Sequence, residues 1–318
     1  MNKKLTWSLS GAGVLLIMLV IYGFTQVPTG GGVPAINADH EYFKPSPEPV
    51  KFVSPHLPED LSFAGEKIPV ELTDVREKLD REILVNAHWH SNTFLMIKRA
   101  NRWFPVIEPI LAENNIPDDF KYLCLIESGL TNAVSPAGAT GFWQFMKTTA
   151  QGYGLEVNSQ VDQRYHVEMS TEAACKYLQE AYDRYGSWSL VAASYNMGMG
   201  GVNKQLEKQQ VNSYWDLLLN AETARYVYRI VAVKEIVENQ EAYGFVVAEE
   251  DLYQPYQTAE IELMTPVTDL AQYADSLGIN YKVLKIMNPW MRKGYLDFKN
   301  ERSYLVKVPV NKDEWVVE

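Results

Sequence analysis

The chain has 318 residues, which is enough for one large domain, one small domain and a tail. Hydrophobic residues make up 47 % and charged residues 22 %, an ordinary globular composition that permits a buried core. The formal net charge of −11 argues against an electrostatic grip on nucleic acid phosphates, so no nucleic acid partner is expected.

The N-terminal segment predicts export. Lys3 and Lys4 precede an apolar stretch, and no charged residue occurs again before Asp39. As a helix, residues 5–24 would just span the roughly 30 Å hydrocarbon layer of a bilayer. Residues 1–26 are therefore predicted to be either an uncleaved membrane anchor or a cleaved signal peptide. Either one places the protein in the cell envelope, on the periplasmic side.

Residues 27–65 are predicted to be a flexible linker, because they are rich in proline, glycine and small polar residues and lack an amphipathic period. A helical domain is predicted to follow over residues 66–248. Its first helix has a possible N-terminal capping box in Asp74 and Glu77. The apolar face of that helix contains Val75, Leu79 and Ile83.

The middle of the chain is almost wholly helical in pattern. Proline and acids at 117–119 open one helix, and Gly129 closes it. Residues 131–154 are dense in Gly, Ser, Pro and Thr, and long loops of this kind in compact helical domains are usually functional or disordered. Further helices are predicted after Ser170, from about Trp188 to Tyr195, and from about Glu222 to Val237.

The residues after Tyr253 predict a small separate module, residues 255–312. The predicted order is a strand at 259–263, helices at 268–277 and 281–287, and a strand at 303–308.

Cysteine and histidine provide little evidence for a metal or cofactor. Cys124 and Cys175 would be either a disulfide in an oxidising compartment or two buried free thiols. His88 and His90 are two positions apart, so on a helix they point in different directions and do not predict a metal site.

One carboxylate continues an apolar stripe on the helix that Gly129 closes. Phe120, Leu123, Cys124 and Glu127 are spaced i, i+3, i+4 and i+7. Burial raises the pKa of a carboxyl group, and a carboxyl that stays protonated near neutral pH suits a general acid. The same spacing is compatible with a glutamate in the last turn that tilts into solvent.

Four sequence blocks around this glutamate help to decide between a general acid and a glutamate that tilts into solvent. They are residues 126–130 (IESGL), 135–146 (SPAGATGFWQFM), 193–200 (ASYNMGMG) and 222–227 (ETARYV). In this order and spacing they resemble the lytic transglycosylases of glycoside hydrolase family 23, of the membrane-bound lytic murein transglycosylase D type. The resemblance covers about residues 75–245 and implies a mainly α fold with a lysozyme-like helical domain.

The resemblance implies cleavage of the MurNAc-GlcNAc β-1,4 bond of peptidoglycan, with formation of 1,6-anhydro-N-acetylmuramic acid and without metal or cofactor. Glu127 would be the single catalytic acid and base. The substrate-binding residues would be Ser128, Ser135, Gln144, Met146, Tyr195, Asn196, Glu222 and Tyr226.

Two other functions remain open from the sequence. A muramidase would hydrolyse the same bond, but it usually needs a second carboxylate for the water, for which Asp162 is the obvious candidate. A non-catalytic scaffold would only bind the wall, and it would not need a buried acid.

The C-terminal module resembles a degenerate LysM domain, a type of module that binds N-acetylglucosamine-containing glycans. The resemblance rests on Thr268–Ala271, Gly278–Tyr281, Asn288–Trp290 and the run from Tyr304 to Pro309. The usual Gly-Asp-x-Leu entry is absent. The module would either bind sugar or serve as a structural appendage or partner surface.

Overall fold

The computed structural model of the chain describes residues 53–299 and 302–316. Within these residues, no helix combines the length and the apolar composition needed to span a bilayer. The predicted anchor or signal peptide at 1–26 lies outside the described residues, and so does most of the predicted linker. The described residues from Ser54 onward belong to one compact unit.

The described end of the predicted linker is packed against the helical core. Leu61 and Phe63 are buried, and Phe63 has no exposed surface. Two short strands, β1 (Ser62–Phe63) and β2 (Glu66–Lys67), pair antiparallel here. The prediction of a flexible linker up to residue 65 is therefore wrong at its C-terminal end, because apolar side chains in this stretch cover the core.

Helices dominate the rest of the chain as far as residue 238. Those that were predicted to end at Gly129, to begin near Trp188 and to begin near Glu222 are confirmed. The helices are α1 (Thr73–His88), α2 (His90–Glu113), α3 (Phe120–Ser128), α4 (Lys147–Gly152), α5 (Val167–Tyr185), α6 (Trp188–Met197), α7 (Met199–Gln209) and α8 (Thr223–Glu238).

Two predicted helix starts differ from the structure. Helix α1 begins at Thr73 without a side-chain cap, and Asp74 instead pairs with Lys78 at 2.8 Å, one turn further along. Helix α5 begins three residues before Ser170, whose hydroxyl donates to the carbonyl of Val167 inside the helix at 3.1 Å. In both cases the polar side chain bonds to a group within the helix and does not cap the N-terminus of the helix.

The short helix α3 lies at the centre of the core. All six residues from Phe120 to Leu125 are buried. A helix that is buried all round packs against neighbours on every side, and α3 packs against both α2 and α8. Since the buried residues end at Leu125, the last turn of α3, which carries Glu127, is the point where the helix leaves the core.

The long loop between α3 and α4 is fastened by the side chain of Arg164. Its Nη1 donates to the carbonyls of Gly138 and Phe145, both at 3.1 Å, so one guanidinium joins the two arms of the loop. Asp162 holds that guanidinium with bonds of 2.9 and 2.7 Å. The loop that the sequence predicted as functional or disordered therefore has a defined structure.

The C-terminal module has the predicted β-α-α-β order. Strands β3 (Thr258–Leu263) and β4 (Tyr304–Pro309) pair antiparallel, with Leu263 opposite Tyr304. Helices α9 (Leu270–Ser276) and α10 (Tyr281–Met287) lie between them in the chain. Each helix has a side-chain N-cap, Asp269 for α9 and Asn280 for α10.

The C-terminal module packs directly against the helical domain. Val161 and Tyr165 of the helical domain belong to the module's own hydrophobic core. The backbone N–H of Asp162 donates to the carbonyl of Trp290 at 2.9 Å, and that of Arg292 donates to the carbonyl of Gln160 at 2.7 Å. The predicted module is present with a core of its own, but it packs against the helical domain, because the two parts share apolar surface and backbone hydrogen bonds.

We expect Gly141→Ala to destabilise the protein more than Gly138→Ala. Both glycines have positive φ, +82° and +88°, so a Cβ costs each about 1–2 kcal/mol. At Gly141 the Cβ would also lie 1.9 Å from the backbone oxygen of Arg164, whereas at Gly138 it meets nothing within 4 Å. The clash should add about 1–3 kcal/mol to the loss in free energy of unfolding, measured in urea. Equal losses for the two variants would contradict this account of the loop.

Candidate active site

Glu127 lies in the last turn of α3, where it is half-buried against α8. Gly129 ends the helix in the left-handed conformation, and its N–H donates to the carbonyl of Leu125 at 2.8 Å. Tyr226, on α8, is 1 % exposed and donates its hydroxyl hydrogen to Oε1 of Glu127. The carboxyl group is thus held in one orientation by a buried neighbour 99 positions away in the chain.

The surroundings of Glu127 favour its protonated form. Burial raises the pKa of its carboxyl group, and this effect outweighs the hydrogen bond from Tyr226 and the nearby charge of Arg229, which both lower the pKa. The negative charge of Glu222 raises the pKa further. The net result is a pKa above the ordinary glutamate value, as a general acid that acts near neutral pH requires.

Tyr195 is on α6 and lies close to the carboxyl group of Glu127. Burial raises the pKa of its hydroxyl well above the ordinary value, and the charge of Glu127 raises it further. Its hydroxyl donates to the carbonyl of Trp143 at 2.7 Å, and its ring packs edge-on against Tyr177 at 5.2 Å. Tyr195 therefore stays neutral and fixed, and it joins α6 to the loop after α3.

A polar network joins the C-terminal part of α6 to the start of α8. Nδ2 of Asn196 donates to Oε1 of Glu222 at 3.1 Å, and Oδ1 of Asn196 accepts from the hydroxyl of Thr223 at 2.7 Å. Asn220 donates to Thr223 in turn at 3.0 Å. Asn196 and Glu222, which were both predicted as site residues, are thus brought into direct contact.

The predicted site residues of the loop and the helix end bond mainly to their own backbone. Ser128 donates to the carbonyl of Cys124 at 3.4 Å, inside α3. Ser135 accepts from the N–H of Ala139 at 3.0 Å and so closes a tight turn. Among the hydrogen bonds of the described residues, neither serine bonds to Glu127.

Gln144 and Met146 occupy two special positions in the loop. Gln144 has a φ of +49°, in the left-handed region, and its amide donates to the carbonyls of Gly141 at 2.7 Å and Ala133 at 3.1 Å. Met146 is 45 % exposed, which is unusual for a methionine near a core. A strained polar residue and an exposed apolar one are features that ligand-binding loops share.

Arg229 lies at the candidate site although no sequence motif indicated it. It lowers the pKa of Glu127 by its charge, and its Nη2 donates to the carbonyl of Ile126 at 3.3 Å. The signal for it was present, because Arg229 follows Tyr226 by three positions and so lies on the same face of α8.

Asp162, the candidate for holding a hydrolytic water, has another task in the structure. It is 7 % exposed, and its carboxylate oxygens accept hydrogen bonds from Arg164. One of them also accepts from the backbone N–H of Arg164. A carboxylate engaged in this way is an anchor for the loop and not a free base.

Cys124 and Cys175 are buried free thiols. Burial raises the pKa of the Cys175 thiol to about 12, and it raises that of Cys124 as well. Of the two alternatives that the sequence allowed, the structure therefore contains the free thiols and not the disulfide.

We expect Tyr226→Phe and Glu222→Gln to move the pKa of Glu127 in opposite directions. The first removes a hydrogen bond that favours the carboxylate, so the pKa should rise. The second removes a like charge, so the pKa should fall. Carbon-13 NMR of the labelled glutamate carboxyls, with Glu127→Gln to assign the resonance, measures both shifts. Shifts in the same direction would contradict the proposed electrostatics.

Comparison with known proteins agrees with this arrangement. Residues 105–218 match the Transglycosylase SLT domain, and residues 259–312 match the Soluble lytic transglycosylase C-terminal LysM-like domain. The chain is 29 % identical over 238 residues to the Membrane-bound lytic murein transglycosylase D of Escherichia coli strain K12. The protein of the same name from E. coli O6:H1 strain CFT073 gives the same figures.

The aligned residues are 73 % of this chain and 51 % of each of these two proteins, so the chain spans about half the length of the curated relatives it matches. The SLT match includes Glu127, α6 and the loop that follows α3. The LysM-like match includes all of β3 but its first residue, together with α9, α10 and β4. The chain therefore contains a transglycosylase SLT domain in a mainly α fold, followed by a small LysM-like C-terminal domain.

Proposed function

We propose that the protein is a peptidoglycan lytic transglycosylase. It would cleave the MurNAc-GlcNAc β-1,4 bond and leave a 1,6-anhydro-N-acetylmuramic acid end. The observation that carries this proposal is the carboxyl group of Glu127, which lies within the SLT match, whose pKa is raised by burial and whose orientation is held by Tyr226.

The first step would be protonation of the leaving oxygen. The neutral Glu127 carboxyl gives its proton to the glycosidic oxygen on C1 of the muramic acid, and the C1–O bond breaks. The substrate's own N-acetyl oxygen stabilises C1, in place of the second carboxylate that ordinary glycosidases use.

The second step would restore the acid. Glu127, now a carboxylate, takes the proton of the C6 hydroxyl of the same sugar, and the C6 oxygen bonds to C1. One proton leaves Glu127 and one returns, so the cycle consumes no water. Tyr226 and Arg229 support the transient carboxylate, because both favour its charged form.

The remaining site residues would hold the sugar in place. We assign Tyr195 and Asn196 to the face of the reacting sugar, and Ser135 to the neighbourhood of its N-acetyl group. Gln144 and Met146 would line the cleft, with Met146 offering exposed apolar surface. Ser128 would fix the end of α3 through its bond to Cys124.

A hydrolytic muramidase is less well supported, because Asp162 is held by Arg164. A non-catalytic wall-binding scaffold is less well supported as well. A binding protein gains nothing from a carboxyl group that is costly to bury, while an acid catalyst requires one.

The proposed substrate places the protein in the cell envelope. The two relatives from E. coli are named as membrane-bound and as acting on murein. We propose the periplasmic side as the working location, with residues 1–26 as the membrane anchor or signal peptide. The LysM-like domain would contribute to peptidoglycan binding.

We expect the full chain, incubated with purified peptidoglycan, to release muropeptides one water lighter than their hydrolytic counterparts, by mass spectrometry. Glu127→Gln should lower the rate by about 10²–10⁴-fold, because it removes the acid and base while it keeps the shape. Glu207→Gln, an exposed glutamate on α7, is the matched control and should cleave normally. Products with reducing ends would mean hydrolysis, and unchanged cleavage by Glu127→Gln would refute the assignment of the acid.

The pH dependence of kcat/KM provides an independent test. Since the free enzyme needs protonated Glu127, kcat/KM should fall as pH rises through the raised pKa of that residue. Tyr226→Phe should move this alkaline limb to higher pH and Glu222→Gln to lower pH. If neither substitution moves the alkaline limb of the pH profile, another group controls the rate.

A further inference from the structure

A cavity of about 390 Å³ lies between the helical domain and the LysM-like domain. This volume is within the range of small-molecule binding sites. Its walls come from α2, from the turn after α3, from the segment that connects the two domains and from the LysM-like domain. The residues that line it include Arg99, Arg102, Asn132, Tyr256, Trp290 and Lys307.

Two arginines give the cavity a positive wall in a protein of net charge −11. Arg99 and Arg102 are three positions apart on α2 and so lie on one face of that helix. Among the described residues, neither guanidinium forms an ion pair with a carboxylate. Lys307 and Glu168 also line the cavity, and they are paired with each other, so the charge of this carboxylate is already matched.

Both arginines have hydrogen-bond donors left for a ligand. A guanidinium carries five N–H groups in a fixed fork. Arg99 donates one bond, to the carbonyl of Gly129 at 3.2 Å. Arg102 donates to the carbonyl of Gln254 and to the hydroxyl of Tyr256, both at 2.9 Å. The remaining donors suit a carboxylate, which arginine binds with two parallel hydrogen bonds.

Arg102 is held in place before any ligand arrives. Its guanidinium carbon lies 4.3 Å from the ring centre of Tyr256 and 5.1 Å from that of Tyr253. These cation–π contacts fix the group without neutralising its charge. A charged group that is already ordered loses little entropy on binding, so the site is preorganised for an anion.

The cavity lies within reach of the proposed reacting sugar. Leu130, Thr131 and Asn132 line it and follow Glu127 directly in the chain. Five residues of chain span at most about 18 Å, so Asn132 is no further than that from Glu127. A peptide stem of four or five residues, attached to the muramic acid, covers a similar distance when extended.

We propose that this cavity binds a carboxylate of the peptide stem, so that the enzyme recognises glycan strands by their peptides as well as by their sugars. This inference rests on the proposed function, because it takes the substrate to be peptidoglycan. The LysM-like domain would then contribute to stem recognition by forming one wall of the site with Trp290 and Lys307.

The test is calorimetric titration of full-length Glu127→Gln protein with a synthetic stem tetrapeptide, which has no glycosidic bond and so reports binding alone. Two forms of the peptide are compared, one with free carboxylates and one with every carboxylate amidated. The free acid should bind roughly tenfold more tightly or better, because only it pairs with the guanidinium groups. Adding Arg99→Gln and Arg102→Gln together should remove this preference.

The control is Arg76→Gln in the same Glu127→Gln background, at an exposed arginine on α1, and it should keep the full preference for the free acid. Equal binding of the two peptides, or no binding of either, would overturn the proposal. A preference that survives the double arginine substitution would overturn it as well. If that variant fails to fold, the comparison of the two peptides on the parent protein still decides.

The cleavage assay separates this proposal from the proposed function. If stem recognition fails but the function holds, strands stripped of peptides and intact strands will give anhydro products with the same kcat/KM. If the function fails, no anhydro products will form from either substrate, while the peptide titration still reports on the cavity.

Discussion

The contact between Tyr226 and Glu127 is the interaction around which the site is organised. Burial at this contact disfavours the charged form of the Glu127 carboxyl group, while the hydrogen bond that Tyr226 donates partly offsets this effect and fixes the orientation of the group. Neither effect survives unless α3 and α8 keep their positions. Much of the surrounding fold serves that requirement, beginning with the fully buried stretch of α3 that precedes Glu127.

Helix α8 is fastened to α1 by a buried carboxylate. Glu82, which is 1 % exposed, accepts hydrogen bonds from Nε and Nη2 of Arg225 at 2.6 and 3.1 Å. Arg225 precedes Tyr226 in the chain, so the Glu82–Arg225 pair fixes the axial position and the rotation of α8 next to the site. Glu82 also pairs with Arg81 on its own helix, whereas its bonds to Arg225 join α1 to α8 and so oppose any sliding of α8. Glu66 acts in a similar way on α6, since its carboxylate accepts from the N–H and the hydroxyl of Ser189 at the start of that helix.

Asp162 and Arg164 connect the loop between α3 and α4 to the LysM-like domain. The Asp162 side chain holds Arg164, which bridges the two arms of the loop, while the Asp162 backbone N–H donates to Trp290. A short turn is thus bonded on one side to the loop that contains Gln144 and on the other side to the second domain. This physical continuity explains why the LysM-like domain packs as part of one unit and is not a freely tethered appendage.

The local parts of this structure were predictable and the distant contacts were not. The apolar spacing up to Glu127 and the glycine after it predicted α3, because both signals lie within one helix. Helix α2 was not predicted, because Pro105 and Pro109 fall inside it and proline ordinarily ends a helix.

The residues of the candidate site were predicted from their resemblance to family motifs, but their contacts lie beyond any local pattern. The Tyr226–Glu127 bond joins positions 99 apart, and the pairing of Glu82 with Arg225 joins positions 143 apart. The cavity beside Arg99 and Arg102 requires the LysM-like domain to be in place, which its own sequence does not indicate.

The central claim is that one carboxyl group cleaves the glycan without water. Cleavage in water enriched in oxygen-18 tests it most directly, with mass spectrometry of the released muropeptides. We expect the new muramic acid ends to contain no oxygen-18, because the C6 oxygen of the same sugar attacks C1. Oxygen-18 at C1 of these ends would contradict it and would show that a water molecule takes part.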